Sequence, residues 1–93
     1  MAVYSVILTK EALKEVDSIG RRIDRTRIME RTSIRKLADN PRPHGSKKLN
    51  GPLERYRLRQ GDYRILYEIR DEVLIVSVVH VGHRKNVYRR GRA

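Results

Sequence analysis

Residues 54–70 alternate so regularly between apolar and charged side chains that the chain is predicted to be built around one β-hairpin. Their sequence is ERYRLRQGDYRILYEIR. Apolar residues fall at every second position on both sides of Gln60-Gly61, as the two-residue period of a strand requires. A turn at Gln60-Gly61 makes every apolar residue face another apolar residue across the hairpin. It also sets Arg57 directly opposite Arg64.

Two directly opposed arginines destabilise a hairpin unless an anion lies between them. One interpretation is a solvated basic face on which the side chains splay apart. The other is a phosphate site, because a guanidinium stays protonated and its planar fork fits phosphate oxygens. The hairpin alone leaves both interpretations open.

The charge balance favours an anionic partner. The 93 residues carry 22 Lys plus Arg against 11 Asp plus Glu, a net charge of +11, which predicts binding to a polyanion or a strongly acidic protein. The absence of Cys excludes disulfides and thiolate metal sites and is compatible with the cytoplasm, where we expect the protein to reside. No stretch reaches transmembrane length, so no membrane contact is expected.

The remaining elements are predicted from periodicity and turn residues. Thr9 is a plausible helix N-cap, and His80 is predicted to face inward beside Tyr63. The predicted elements are a strand at Ala2–Leu8, helices at Lys10–Ser18 and Arg21–Ala38, the hairpin, and a strand at Val73–Val81 after a turn at Asp71-Glu72.

These elements predict an α+β fold of order β-α-α-β-β-β, in which a helical hairpin packs on one face of an antiparallel sheet. We expect one domain over residues 1–93, with residues 84–93 as a basic C-terminal tail. Within this tail, Arg84 and Tyr88 are candidate site residues. They follow the last strand, which is predicted to lie beside the hairpin that carries Arg57 and Arg64.

A pattern of short segments runs through the second half of the sequence: Lys48-Leu49-Asn50-Gly51, Tyr56–Arg59, Gly61–Tyr67, Val81–Arg84 and Val87-Tyr88. Its most specific part is GDYR-ILY followed by VGHR and VY. With these segments the chain resembles, over nearly its whole length, the RelE/ParE superfamily of bacterial and archaeal toxins.

Members of the RelE branch are ribosome-dependent endoribonucleases that cut messenger RNA and are neutralised by an antitoxin. The resemblance therefore implies a metal-independent nuclease without a cofactor, in which the pKa of Tyr88 must be lowered by cations if it is to act as base. The implied catalytic residues are Arg57, Arg64, Arg84 and Tyr88, and the implied RNA-binding residues are Arg59, Lys47, Lys48 and Lys85.

Three positions depart from the best-known RelE member. Arg57 and Arg59 stand where that protein has lysines, and His83 also replaces a lysine. Because an arginine does not lose its proton, Arg57 and Arg59 are unsuited to accept one.

Two other functions remain as alternatives. One is a ParE-like inhibitor of DNA gyrase without nuclease activity, although the ParE branch generally lacks the full set of site residues. The other is a noncatalytic nucleic-acid-binding module, which would need aromatic side chains exposed for base stacking.

The expected partners are an acidic, partly disordered RelB-like antitoxin, the ribosome and messenger RNA, and operator DNA for the toxin–antitoxin complex.

Overall fold

The computed structural model describes residues 3–19 and 34–83, which form an α+β arrangement of one helix on a five-stranded sheet. The sheet has the strand order β1-β5-β4-β3-β2. The predicted α+β class is therefore confirmed. The elements are β1 (Ser5–Leu8), α1 (Lys10–Asp17), a 3-10 turn (Arg35–Ala38), β2 (Lys47–Lys48), β3 (Arg55–Gln60), β4 (Tyr63–Arg70), a second 3-10 turn (Asp71–Val73) and β5 (Ile75–His83).

The sheet differs from the prediction at both edges. β1 runs parallel to β5, whereas the other neighbours are antiparallel. The opposite edge is formed by β2, a two-residue strand that is not among the predicted elements. Of the predicted helix Arg21–Ala38, residues 21–33 lie outside the described residues, and Arg35–Ala38 form a 3-10 turn.

Helix α1 begins where predicted, because Thr9 caps it. The Thr9 Oγ1 atom accepts a hydrogen bond from the Ala12 amide at 3.2 Å, which satisfies one of the free N–H groups of the first turn. Ala12 and Val16 lie one turn apart and are buried against the sheet, whereas Leu13 is half exposed. The helix therefore covers the sheet with a narrow apolar stripe.

One face of the sheet, here called the helix face, forms the core with α1. Tyr67 is fully buried there and its ring stacks on Tyr56 with centroids 5.9 Å apart. The opposite face is called the outer face. The buried sheet residues that pack in the core are Leu58, Ile65, Tyr67, Ile69, Val76, Val78 and Val81.

The predicted hairpin register is wrong by two residues. The turn is Gly61-Asp62, so that Arg64 faces Arg59 and Arg57 faces Leu66. Gly61 has φ +58°, and a two-residue hairpin turn with a single left-handed residue places glycine first. Because the shift is even, every side chain keeps its predicted face.

The predicted register between the last two strands is also wrong. A 3-10 turn replaces the tight Asp71-Glu72 turn, and the ladder between β4 and β5 shifts between Leu66 and Tyr67. This irregularity inserts Val79 between Val78, which faces Tyr67, and His80, which faces Leu66. His80 therefore lies on the outer face rather than inward beside Tyr63.

In the described part of the chain, no helix combines the length and apolar character needed to cross a membrane.

Candidate functional site

The outer face carries basic side chains in two adjacent rows that run across the strands. In the first row Lys47 on β2 lies opposite Arg57 on β3. In the second row Arg59 on β3 lies opposite Arg64 on β4. Cross-strand partners have their Cβ atoms about 5 Å apart, so the four cations form one cluster. We call Lys47, Arg57, Arg59 and Arg64 the basic face.

The members of the basic face lie at different depths. Arg64 is only 8% exposed, Arg57 is half-buried, and Lys47 and Arg59 are exposed. Burial restricts the rotamers of a long side chain, so Arg64 is held in place while Lys47 and Arg59 extend into solvent. The cluster therefore combines a fixed cation near the floor of the sheet with adaptable cations around it.

A third row on the same face is neutralised within the sheet. Arg55 lies opposite Glu68, and its Nε atom is 3.3 Å from the Glu68 carboxylate. Arg55 therefore has a carboxylate as its cross-strand partner, whereas Arg57 lies opposite Leu66 and Arg59 lies opposite Arg64.

Lys48 is separated from the predicted RNA-binding residues Lys47 and Arg59. It pairs in register with Tyr56, and its Nζ atom lies 3.1 Å from a Glu54 carboxylate oxygen. The hydrogen bond from Lys48 holds the pKa of Glu54 below its usual value. Lys48 and Lys47 are therefore neighbours in sequence whose side chains have different surroundings.

A second charged cluster, centred on Arg42, ties the loop before β2 to the turn before β5. Arg42 donates two hydrogen bonds to the Asp71 carboxylate, the shorter at 2.8 Å, and a third from Nε to the Tyr56 hydroxyl. Tyr4 donates to the same carboxylate at 2.6 Å. Hydrogen bonds from Arg42 and then Tyr4 lower the pKa of Asp71 to about 2. This cluster joins segments that are distant in sequence, and we assign it a structural role.

Sequence reasoning missed a buried carboxylate beside the sheet. Glu15 on α1 accepts a hydrogen bond from the Val81 amide at 3.0 Å and lies 3.4 Å from His80 Nδ1. The sequence does not indicate this contact. Glu15 is a charged residue on an amphipathic helix, and the charged residues near it, Lys14 and Asp17, are exposed.

The remaining predicted site residues lie outside the described residues. β5 ends at His83, so Arg84, Lys85 and Tyr88 follow it in the sequence. Within the described ranges, no three His, Asp or Glu side chains are grouped so that they could hold a metal ion.

Exposed aromatic rings are also absent from the outer face of the described residues. Tyr56, Tyr63 and Tyr67 alternate onto the helix face as predicted, and Tyr4 packs against the core. The described residues therefore do not support a nucleic-acid-binding module that stacks bases on exposed tyrosines.

The family is established by comparison with known proteins. The family model of the ParE toxin of type II toxin–antitoxin systems matches residues 6–88, which include all eight predicted site residues. The chain belongs to the RelE/ParE superfamily of type II toxins. An Escherichia coli protein described as a RelE-like toxin is 34% identical to it over 84 residues, which cover 88% of this chain and 84% of that protein.

Solved RelE toxins share the fold of this RelE/ParE toxin. The isolated Escherichia coli RelE toxin superposes with a TM-score of 0.72 at 26% identity, covering 97% of this chain and 95% of RelE. The RelBE2 toxin–antitoxin complex of Mycobacterium tuberculosis gives a TM-score of 0.71 at 28% identity, covering 92% of this chain and 97% of the matched chain. An archaeal RelE–RelB complex from Pyrococcus horikoshii gives 0.72 at 25% identity, covering 90% and 98%.

Proposed function

We propose that this toxin is a ribosome-dependent endoribonuclease that cuts translated messenger RNA. The observation that carries the proposal is the pair Arg59 and Arg64, opposed across the hairpin on the outer face beside Lys47 and Arg57. Directly opposed like charges repel each other, so an anion bound between them would be held by both cations. An RNA phosphate fits because arginine forks match phosphate oxygens.

Cleavage would proceed by attack of the ribose 2′-oxygen on the adjacent phosphorus, with loss of the 5′-oxygen. Arg57 and Arg64 would stabilise the charge that develops on the phosphate oxygens, as preorganised cations do in other sites. By resemblance to the RelE branch, Arg84 would contact the scissile phosphate and Tyr88 would take the 2′-OH proton. The products would be a 2′,3′-cyclic phosphate and a 5′-OH.

The outlying cations would hold RNA on either side of the cut. Lys47 and Arg59 are exposed at the margin of the basic face, and Lys85 follows β5 in sequence. Lys48 would contribute less, because Glu54 already balances its charge. Contacts of this kind are independent of sequence and weaken as salt concentration rises.

The test is primer extension on a translated message after induction of the toxin, compared with the same purified message with and without ribosomes. We expect growth arrest and cuts confined to the translated frame, and cleavage in vitro only when ribosomes are present. Intact message in arrested cells would refute the proposal.

A second candidate function is inhibition of DNA gyrase, because the matching family model is that of ParE toxins. Supercoiling of relaxed plasmid by purified gyrase separates the two. The nuclease proposal predicts that equimolar toxin leaves supercoiling unchanged, whereas a gyrase inhibitor would stop it without shortening any message.

An acidic antitoxin is the partner that the charge of +11 favours, and we propose one that is RelB-like and partly disordered until bound. Solved structures similar to this chain include RelE–RelB complexes. The antitoxin would cover the basic face, and the complex would bind its own operator DNA. A co-purifying protein that is basic, or that leaves cleavage unaffected, would contradict this.

A further inference from the structure

The edge of β5 changes its partner halfway along its length. β1 ends at Leu8, opposite Val78. Beyond that point two side chains bind the β5 backbone, one from the N-cap of α1 and one from its last turn. The Thr9 hydroxyl donates to the Val79 carbonyl at 3.3 Å, and Glu15 accepts from the Val81 amide at 3.0 Å. Glu15 is 9% exposed, so a carboxylate is built into the edge of the sheet.

The β5 irregularity directs His80 towards this carboxylate. Val78 and Val81 both face the core, and the two residues between them include His80, whose partner is Leu66. His80 Nδ1 is buried and lies 3.4 Å from Glu15 Oε1, while the side chain as a whole is 21% exposed. The ring therefore places Nδ1 at ion-pair distance from the Glu15 carboxylate, without a hydrogen bond between them, and is partly accessible elsewhere.

His80 belongs to the same cross-sheet row as part of the basic face. The row runs from Lys47 through Arg57 and Leu66 to His80, so about 10 Å of sheet separates the backbones of Arg57 and His80. Arg64 flanks Leu66 on the same strand face. An RNA phosphate bound by Arg57 and Arg64 would lie above Leu66, with its ester oxygens within reach of an imidazole from β5.

Within residues 3–19 and 34–83, the charged groups around His80 come from two elements besides its own strand. Glu15 faces it from α1. On β4 its partner is the apolar Leu66, which Arg64 and Glu68 flank along the strand, and Glu68 is bound to Arg55. Glu15 is therefore the carboxylate that positions the ring.

We propose that His80 is the general acid of RNA cleavage, positioned by Glu15. The proposal rests on the nuclease function proposed above. As the 2′-oxygen forms its bond to phosphorus, the bond from phosphorus to the 5′-oxygen breaks, and the protonated imidazole of His80 gives its proton to that oxygen to leave a 5′-OH. Glu15 does not touch RNA; it fixes the ring, as a carboxylate does for the histidine of a catalytic triad.

The test compares two RNA substrates on programmed ribosomes under single-turnover conditions. They are identical except that the leaving 5′-oxygen of one is replaced by sulfur, which departs without being protonated. We expect His80→Gln to slow cleavage of the oxygen substrate about 100-fold, the lower range for general acid catalysis, and to leave the sulfur substrate within about threefold of wild type. Glu15→Gln, whose amide oxygen can still accept from Val81, should show the same selectivity with about a tenfold loss, a share of the same effect.

His44→Gln is the matched control, because His44 is exposed in the loop before β2, and it should cleave both substrates at the wild-type rate. Thermal unfolding verifies that each variant is folded, and His80→Asn replaces His80→Gln if the latter is not. Equal losses on both substrates, or no loss on either, would overturn the role of His80 while leaving the nuclease intact. Wild-type toxin that cleaves neither substrate would overturn the proposed function and this inference with it.

Discussion

Arg59 and Arg64 face each other directly across the β3–β4 hairpin, with Arg64 buried to 8% exposure and Arg59 exposed. Two effects oppose each other at this pair. Like charges repel in the free protein, whereas both cations would attract a bound phosphate. The two arginines should therefore respond differently when each is removed.

Replacing Arg59 with Ala should leave the protein as stable as before, or more stable by a few tenths of a kcal/mol, the scale of cross-strand pairs. Arg64→Ala should lose about 1–2 kcal/mol, because a buried side chain is removed from its packing. Cleavage by Arg64→Ala should also fall about 100-fold, the scale for one lost electrostatic donor. Urea unfolding and single-turnover cleavage of the same preparations measure both quantities.

Arg55→Ala is the control for this comparison, because Arg55 is bound to Glu68. Losing an exposed ion pair should destabilise the protein by at most about 1 kcal/mol, opposite in sign to the Arg59 variant. A stability loss for Arg59→Ala as large as that for Arg64→Ala would show that repulsion within the pair is negligible.

Lys47 and Lys48 test whether the basic face binds RNA, because they are adjacent in sequence and only Lys47 belongs to that face. Lys47→Ala should weaken binding to single-stranded RNA and lower the slope of log affinity against log salt by about 0.7, the value for one phosphate contact on a single strand. Lys48→Ala should change neither quantity measurably, because Lys48 is paired with Glu54. Fluorescence titrations at several salt concentrations measure the slopes, and equal effects of the two variants would contradict the separation.

The Arg42 cluster predicts how Asp71 affects stability in acid. The pKa of Asp71 is lowered to about 2 in the folded protein from an ordinary value of 3.8. A lowered folded pKa stabilises the protein above the unfolded value, and this contribution is lost as pH falls towards 2. Asp71→Asn should therefore lower the unfolding temperature at pH 6, and most of the difference from wild type should be lost near pH 2.

The control for Asp71→Asn is Asp17→Asn, an exposed residue at the end of α1, which should leave the unfolding temperature close to wild type at both pH values. A difference between Asp71→Asn and wild type that persisted at pH 2 would show that the side chain stabilises the fold by something other than its charge.

Tyr67 makes the corresponding prediction at alkaline pH. Burial raises the pKa of Tyr67 to about 12, and its hydroxyl donates to the Pro41 carbonyl at 2.8 Å. A raised folded pKa gives stability that is present below pH 10 and is lost as pH rises towards 12. Tyr67→Phe should cost about 1 kcal/mol at neutral pH, the worth of one hydrogen bond. It should also remove a phenolate that appears near pH 12 in an ultraviolet titration of the wild-type protein.

Much of the fold could be predicted from local patterns. The alternation of apolar and charged residues correctly predicted both hairpin strands and the tyrosines that face the core. Thr9 correctly marked the start of α1. The registers failed because each depended on one backbone detail. A glycine with positive φ fixed the first turn, and an extra residue in β5 reset the second. Neither detail leaves a periodic signal in the sequence.

The three arginines of the basic face could be predicted to share one face, although their pairing and the position of Lys47 beside them could not. Strand parity placed Arg57, Arg59 and Arg64 on one face, and an even shift of register preserves parity. The contact between Glu15 and His80 could not be anticipated, because it joins a helix to a strand more than sixty residues away across an irregular ladder. Sequence spacing carries no information about such a pairing.

The parallel pairing of β1 with β5 joins the two strands that are farthest apart in sequence among the described strand pairs. Ser5 pairs with Ile75, so the first strand has its partner only after almost the whole domain is in place. Closing the β3–β4 hairpin over a two-residue turn loses little chain entropy, whereas bringing β1 onto β5 closes the longest loop and loses the most. A chain truncated before β5 would therefore keep the complete sequence of the β3–β4 hairpin. It would lack the strand that lies between β1 and β4 in the sheet.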